Sequence, residues 1–130
     1  MKLQNCGLTV LRIVVGIVIL MHGYQKLFKF GLGGVTGMFG HMGVPLPHVF
    51  AVIVTFVEFV GGILLIAGIA VRIAAGLIAC DMSGAILKVH LPHGFFAQGG
   101  GVELPLTLLA AAICLALAGG GALSLRFKGL

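Results

Sequence analysis

Apolar residues run almost unbroken from Leu8 to Phe28, and the few interruptions sit at the ends: Arg12 near one, His22, Gln25 and Lys26 near the other. At ~1.5 Å per helical residue this run rises about 31 Å, one hydrocarbon thickness. At ~100° per residue the four polar side chains share an arc of roughly 140°, which must face protein or a wet cavity because lipid would not tolerate it. The same pattern recurs, predicting helices over about residues 8–28, 48–69, 72–90 and 103–119. The expected fold is all-α: a polytopic membrane protein, a four-transmembrane-helix bundle in one membrane domain over residues 1–130.

The connections are uneven. Lys29 to Pro47 is rich in glycine and carries Phe30, Met38, Phe39 and Met42. It is too apolar for a free linker, and reads as a Gly-rich interfacial loop, a short amphipathic or re-entrant segment stopped by Pro45 and Pro47. Glu58 lies near the middle of the second helix, with Gly61 and Gly62 one turn on, where a neighbouring backbone can close on the carboxylate face. Asp81 lies mid-way along the third. That helix also carries two small-residue stripes, Ala75, Ala79, Ser83 and Gly76, Cys80, Gly84. The loop after it holds His93, Phe95 and Phe96, and Glu103 opens the fourth helix just before Pro105.

Composition narrows the class. With 60% hydrophobic and 8% charged residues, an ordinary soluble fold is excluded. The net charge of +5 comes from few charges without a basic stripe, pointing to topology and lipid headgroups and not to nucleic acid. A cleaved secretory signal is not expected: the first run is too long, contains Arg12 and lacks a small-x-small cleavage site. Lys2, Arg12, Arg72, Arg126 and Lys128 fall on one side of a four-span chain, against Lys26, Lys29 and Lys88 on the other. That imbalance predicts both termini in the cytoplasm and the histidines His22, His41, His48, His90 and His93 in the outer half.

Five segments in order, HGxQK at His22 to Lys26, FGHMGVPLP, VExxGG at Val57 to Gly62, GxxxR at Gly68 to Arg72, and HLPHGFFxxGGGVELPL at His90 to Leu106, resemble the DoxX family. The resemblance implies a four-helix protein of the bacterial inner membrane, associated in several members with quinone-linked or thiol-linked redox systems. Related proteins include the membrane subunit of thiosulfate:quinone oxidoreductase. The cysteines here, Cys6, Cys80 and Cys114, are scattered without a CxxC spacing.

An unpaired carboxylate in mid-bilayer is expensive, so Glu58 and Asp81 are expected either in an intramembrane charge network with Arg12 or in a site. His22 and Glu58 fall at similar depth and could exchange protons, His90 joining them as a third candidate catalytic group. Gln25, Lys26 and Glu103 are expected to bind a ligand in the same outer pocket, with Phe39, Phe95 and Phe96 around it. A quinone or quinol fits: a flat apolar ring with oxygens that need hydrogen-bond partners. Its electrons would come from a redox partner protein. Only His90 and His93 form a local histidine pair, and no metal is assigned. Two other readings stay open, an accessory protein that binds lipid or a partner helix, and a small proton-linked conduit that would need a homo-oligomer. Cysteines introduced at Gln98 and Gly129 should be labelled by a membrane-impermeant reagent from opposite sides, Gln98 from the periplasm; labelling of both from one side breaks the four-span expectation.

Overall fold

The computed structural model describes residues 3–121. Lys2, Arg126, Lys128 and Gly129, used in the charge count and the labelling test, lie outside the described residues. The first helix, α1 (Leu3–Tyr24), widens into a π-helical turn over Gln25–Phe30, and Gly31, at φ +75°, ends that turn. Then come α2 (Gly31–His41), α3 (Pro47–Ala67) and α4 (Val71–Ala85), the last widening into a second π turn over Ile86–His90. Two 3-10 turns, Leu91–His93 and Ala97–Gly99, lead to α5 (Glu103–Ala118). No strand occurs among the described residues.

Packing runs α1 on α3, α3 on α4, α4 on α5, with α5 returning to α1 and α2 lying on α3. Ile19, Leu65, Ile78, Ala112 and Leu115 fill the centre. The outer faces are as apolar as the inner: Val10, Val14, Ile17 and Met21 on α1, and Ile53, Phe56, Val60 and Ile63 on α3, are exposed at helical spacing. A soluble bundle would expose polar groups there; these faces need lipid. Three helical stretches, Leu3–His41, Pro47–Ala67 and Val71–His93, are long and apolar enough to cross a membrane, while the 16 residues of α5 make a shorter apolar helix.

The segment expected as a Gly-rich loop is instead mostly the helix α2, a correction with a clear cause. Glycine costs roughly 1 kcal/mol per helical residue against alanine. Out of water, however, backbone groups must bond to one another, and nothing between Gly31 and Val44 is proline. Val35 is buried at 1% exposure, and the Thr36 hydroxyl donates to Leu32 O at 2.7 Å. Packing and environment outweigh propensity.

Glycines bring α1 and α3 into backbone contact. A Cβ at Gly23 would lie 2.4 Å from Phe59 N and 2.8 Å from Glu58 C, and one at Gly62 would lie 2.6 Å from Leu20 N. The role of Gly62 is the expected one; that of Gly16 and Gly23, two helical turns apart on α1, escaped the sequence reading. Of the two stripes on α4, Ala75 is fully buried, whereas Gly76 and Gly84 meet nothing within 4 Å and Cys80 is exposed. The second stripe therefore makes no close helix contact, and its Gly84 borders the cavity beneath α2. Gly23→Ala should lower stability by about 1–3 kcal/mol through overpacking, read as a drop in thermal midpoint in detergent, while Gly7→Ala, where a Cβ meets open space, should leave it unchanged.

Candidate functional site

The polar side chains of the membrane helices divide into two groups. Arg12, 1% exposed, donates from Nη1 to Leu65 O at 2.7 Å and Ile66 O at 3.0 Å, and from Nε to Gly120 O at 3.1 Å. Leu65 and Ile66 belong to the last turn of α3, whose carbonyls have no partners within the helix. A cation there satisfies them and complements the helix dipole. The Arg12 guanidinium thus ties together the ends of α3 and α5. At the same end Arg72 packs against Gly119, just past α5.

Glu58, 3% exposed, takes its ion pair from Lys26 instead: Nζ to Oε1 is 2.7 Å. Lys26 follows Gly23 by one turn, and the close approach at Gly23 sets Glu58 below it. Asp81, across on α4, lines the same cavity as Lys26 and Glu58. The cation paired with Glu58 is thus Lys26, about 10 Å along α3 from the Arg12 cap, where the sequence led to the expectation of Arg12 with Glu58 and Asp81.

Two cavities flank this group and share Lys26, Glu58, Ala85 and His90 as a common wall. The smaller, about 200 Å³, lies towards α5 and is lined by His22, Met82 and Leu108 and by Gly100 and Gly101 of the last loop. The larger, about 390 Å³, lies under α2 and is lined by Met38, Phe39, Met42, Phe50 and Val54, with Asp81 and Lys88 at its polar side. Only the larger reaches the ~300–1,000 Å³ usual for small-molecule sites.

Both candidate histidines have one nitrogen committed. His22 Nδ1 donates to Val18 O at 2.8 Å, and His90 Nδ1 donates to Gly100 O at 2.7 Å. Because a carbonyl only accepts, each Nδ1 carries a proton, which leaves Nε2 of the neutral ring free to accept. The structure thus brings His22, Lys26, Glu58 and His90 to one cavity and Phe39 to the next. Gln25, Glu103, Phe95 and Phe96 line neither. Gln25 is the first residue of the π turn, so a uniform 100° step misplaces it. The Glu103 carboxylate accepts from Ala97 N at 2.9 Å and staples the loop shut, supported by Val102 N to Gly94 O and Glu103 N to Phe95 O. Phe95 and Phe96 stack edge-to-face at 5.2 Å and are 52% and 71% exposed. Met38 and Met42 stand out in the sequence, whereas Phe50 and Val54 do not. Met38 and Met42 stand one turn apart, a signal visible once that stretch is read as helix.

The sequence model of the DoxX family matches residues 7–91. The chain belongs to the DoxX family. A Bacillus subtilis protein named "Putative oxidoreductase CatD" is 37% identical over 131 residues, which cover 98% of this chain and 92% of that protein. A Haemophilus influenzae protein without an assigned role is 35% identical over 98% of this chain and 93% of its own length. An uncharacterized membrane protein of Mycobacterium tuberculosis is 37% identical over 69% of this chain and 57% of its own. No solved structure matches. Within this DoxX chain no cluster of three or more metal-ligating side chains occurs among the described residues.

The buried ion pair makes a sharp prediction. Lys26→Met leaves the Glu58 charge alone in an apolar surround and should cost about 3–5 kcal/mol in stability, whereas Lys26→Met with Glu58→Leu should recover most of the loss. Thermal midpoints of the four proteins in a double-mutant cycle check this, additivity being the contrary result.

Proposed function

We propose that this protein is the membrane subunit of a redox system and binds a quinone or quinol in the cavity beneath α2. The observation that supports the reading is an apolar chamber of ligand size whose polar edge is a buried ion pair, Lys26 with Glu58. A bound quinone would supply reversible two-electron, two-proton chemistry. The chain's own part is to hold the ring among Phe39, Met42 and Phe50, to offer Lys26 and His90 to its oxygens, and to move protons through Glu58 towards His22. Electrons are exchanged with a partner protein. A relative named as an oxidoreductase, similar along nearly its whole length, agrees with a redox role.

The same reading places four spans in a bacterial inner membrane with both termini in the cytoplasm and the two cavities towards the periplasm. Arg12 and Arg72 at one end, against Lys26, Lys29 and Lys88 at the other, support that orientation only together with the charges beyond Gly121. For α5 as the fourth span, the support is its course beside α4, from the loop near His90 down to Arg72.

Purified protein in lipid nanodiscs should bind a decyl-tailed benzoquinone saturably. Phe39→Ala should weaken binding roughly tenfold, the loss of ~1.4 kcal/mol of ring contact, and Phe96→Ala should change it less than twofold. Glu58→Gln should keep the fold, since the amide retains shape, and lose proton-linked turnover with whatever donor reduces the quinone. Absence of saturable binding by the unaltered protein would leave the accessory-protein reading in its place.

A further inference from the structure

The chamber beneath α2 is open on one side. Its back is α3, on which both α2 and α4 pack, while α2 and α4 do not pack closely on one another. Met38 on α2, Phe50 on α3 and Gly84 on α4 all line the chamber and are also exposed, the first two at 41% and 40%. A wedge with α3 as its spine is therefore unclosed between α2 and α4.

That opening lies at the depth of the hydrocarbon. Gly84 is about 20 Å along α4 from Val71, inside the apolar stretch Val71–His93. Leu77 and Leu87, on the same side of the helix, are apolar and exposed. Gly84 forms the rim of the opening on α4. A Cβ there meets nothing within 4 Å, and its φ is that of an ordinary helix, so neither packing nor backbone calls for glycine. Glycine is moreover a poor helix former. What its missing side chain leaves is a gap at the edge of a ligand-sized chamber, wide enough for an apolar chain to cross into lipid.

We infer that the chamber opens sideways into the bilayer between α2 and α4, past Gly84, and that it takes a quinone whose apolar tail lies in this opening while the ring sits inside. This rests on the quinone reading of the same cavity and adds two things to it. The ligand arrives from the membrane and not from water, and position 84 sets how well a tailed ligand is held. A bare ring, which fills only the interior, is indifferent to that position.

The test is equilibrium binding of decyl-tailed benzoquinone, and of the same ring without its tail, to protein in lipid nanodiscs, with affinities referred to the ligand dissolved in the bilayer so that partitioning cancels. Gly84→Leu, Gly84→Met and Gly76→Leu are compared with the unaltered chain, and thermal midpoints identify the folded variants. Gly76 is the control: it stands two turns away on the same stripe, its Cβ also meets nothing within 4 Å, and it lies outside both chambers. Either substitution at Gly84 should weaken the tailed quinone about tenfold, the usual cost of forcing a side chain into a filled contact, and the bare ring less than threefold. Gly76→Leu should change neither more than twofold. Unchanged binding of the tailed quinone in both Gly84 variants, or equal weakening of the two ligands, overturns the inference while leaving the quinone site standing. So does unchanged quinone binding with loss of a co-purifying phospholipid, counted by mass spectrometry, which would give the opening to a lipid chain. Binding of the bare ring alone by the unaltered protein overturns it too. Failure of the unaltered protein to bind either ligand removes the site itself, and the inference with it.

Discussion

A lysine and a glutamate paired inside an apolar bundle constrain most of the arrangement around them. Each charge alone in a low-dielectric interior would cost several kcal/mol, and their attraction offsets this only when the geometry is close. The geometry depends on backbone. Gly23 leaves no side chain between α1 and α3, so the two helices touch where Glu58 emerges, and Lys26 reaches it from one turn away. The π turn that carries Lys26 is part of the same solution, because a widened turn re-aims side chains that a regular helix would send elsewhere. The second π turn carries Lys88 and His90 to the other side of the group.

Arg12 shows the opposite use of charge. Its guanidinium bonds carbonyls at the ends of α3 and α5, a structural closure. The bundle is thereby polarised along its axis. One end is tied by arginine to backbone, and the other holds lysines, acids and histidines around two cavities. Because α2 folds down on α3 and does not run on from α1, it roofs the larger of these with Met38, Phe39 and Met42. A chamber with an apolar roof and a charged wall is the feature that the proposed ligand explains.

Much of the fold is readable from hydropathy, because a span must be apolar for about 20 residues and few other sequences are. The positions of α1, α3, α4 and α5 follow from this, as does the inward arc of His22 and Lys26. The Gly-rich stretch is not readable in the same way: Gly31 to Gly40 has poor helix propensity, and only the pressure to satisfy backbone groups out of water makes it α2. Charge pairing was equally hidden. Arg12 and Lys26 are both cations on one helix face, and axial bookkeeping cannot tell which of them a long side chain brings to Glu58. Nor does composition reveal that Glu103 closes a loop through Ala97 N and stays out of the cavity. That depends on the loop path, which Gly94 and Gly100, at φ +82° and +79°, make possible.

Photoaffinity mapping tests most directly whether the chamber beneath α2 holds the ligand. A quinone carrying an azide on its ring, activated in nanodiscs and traced by peptide mass spectrometry, should label the stretch from Met38 to Val54, with labelling suppressed by excess unmodified quinone. Labelling confined to the exposed Phe95 and Phe96 loop, or spread over the lipid-facing surfaces and insensitive to competition, would exclude that chamber as the quinone site.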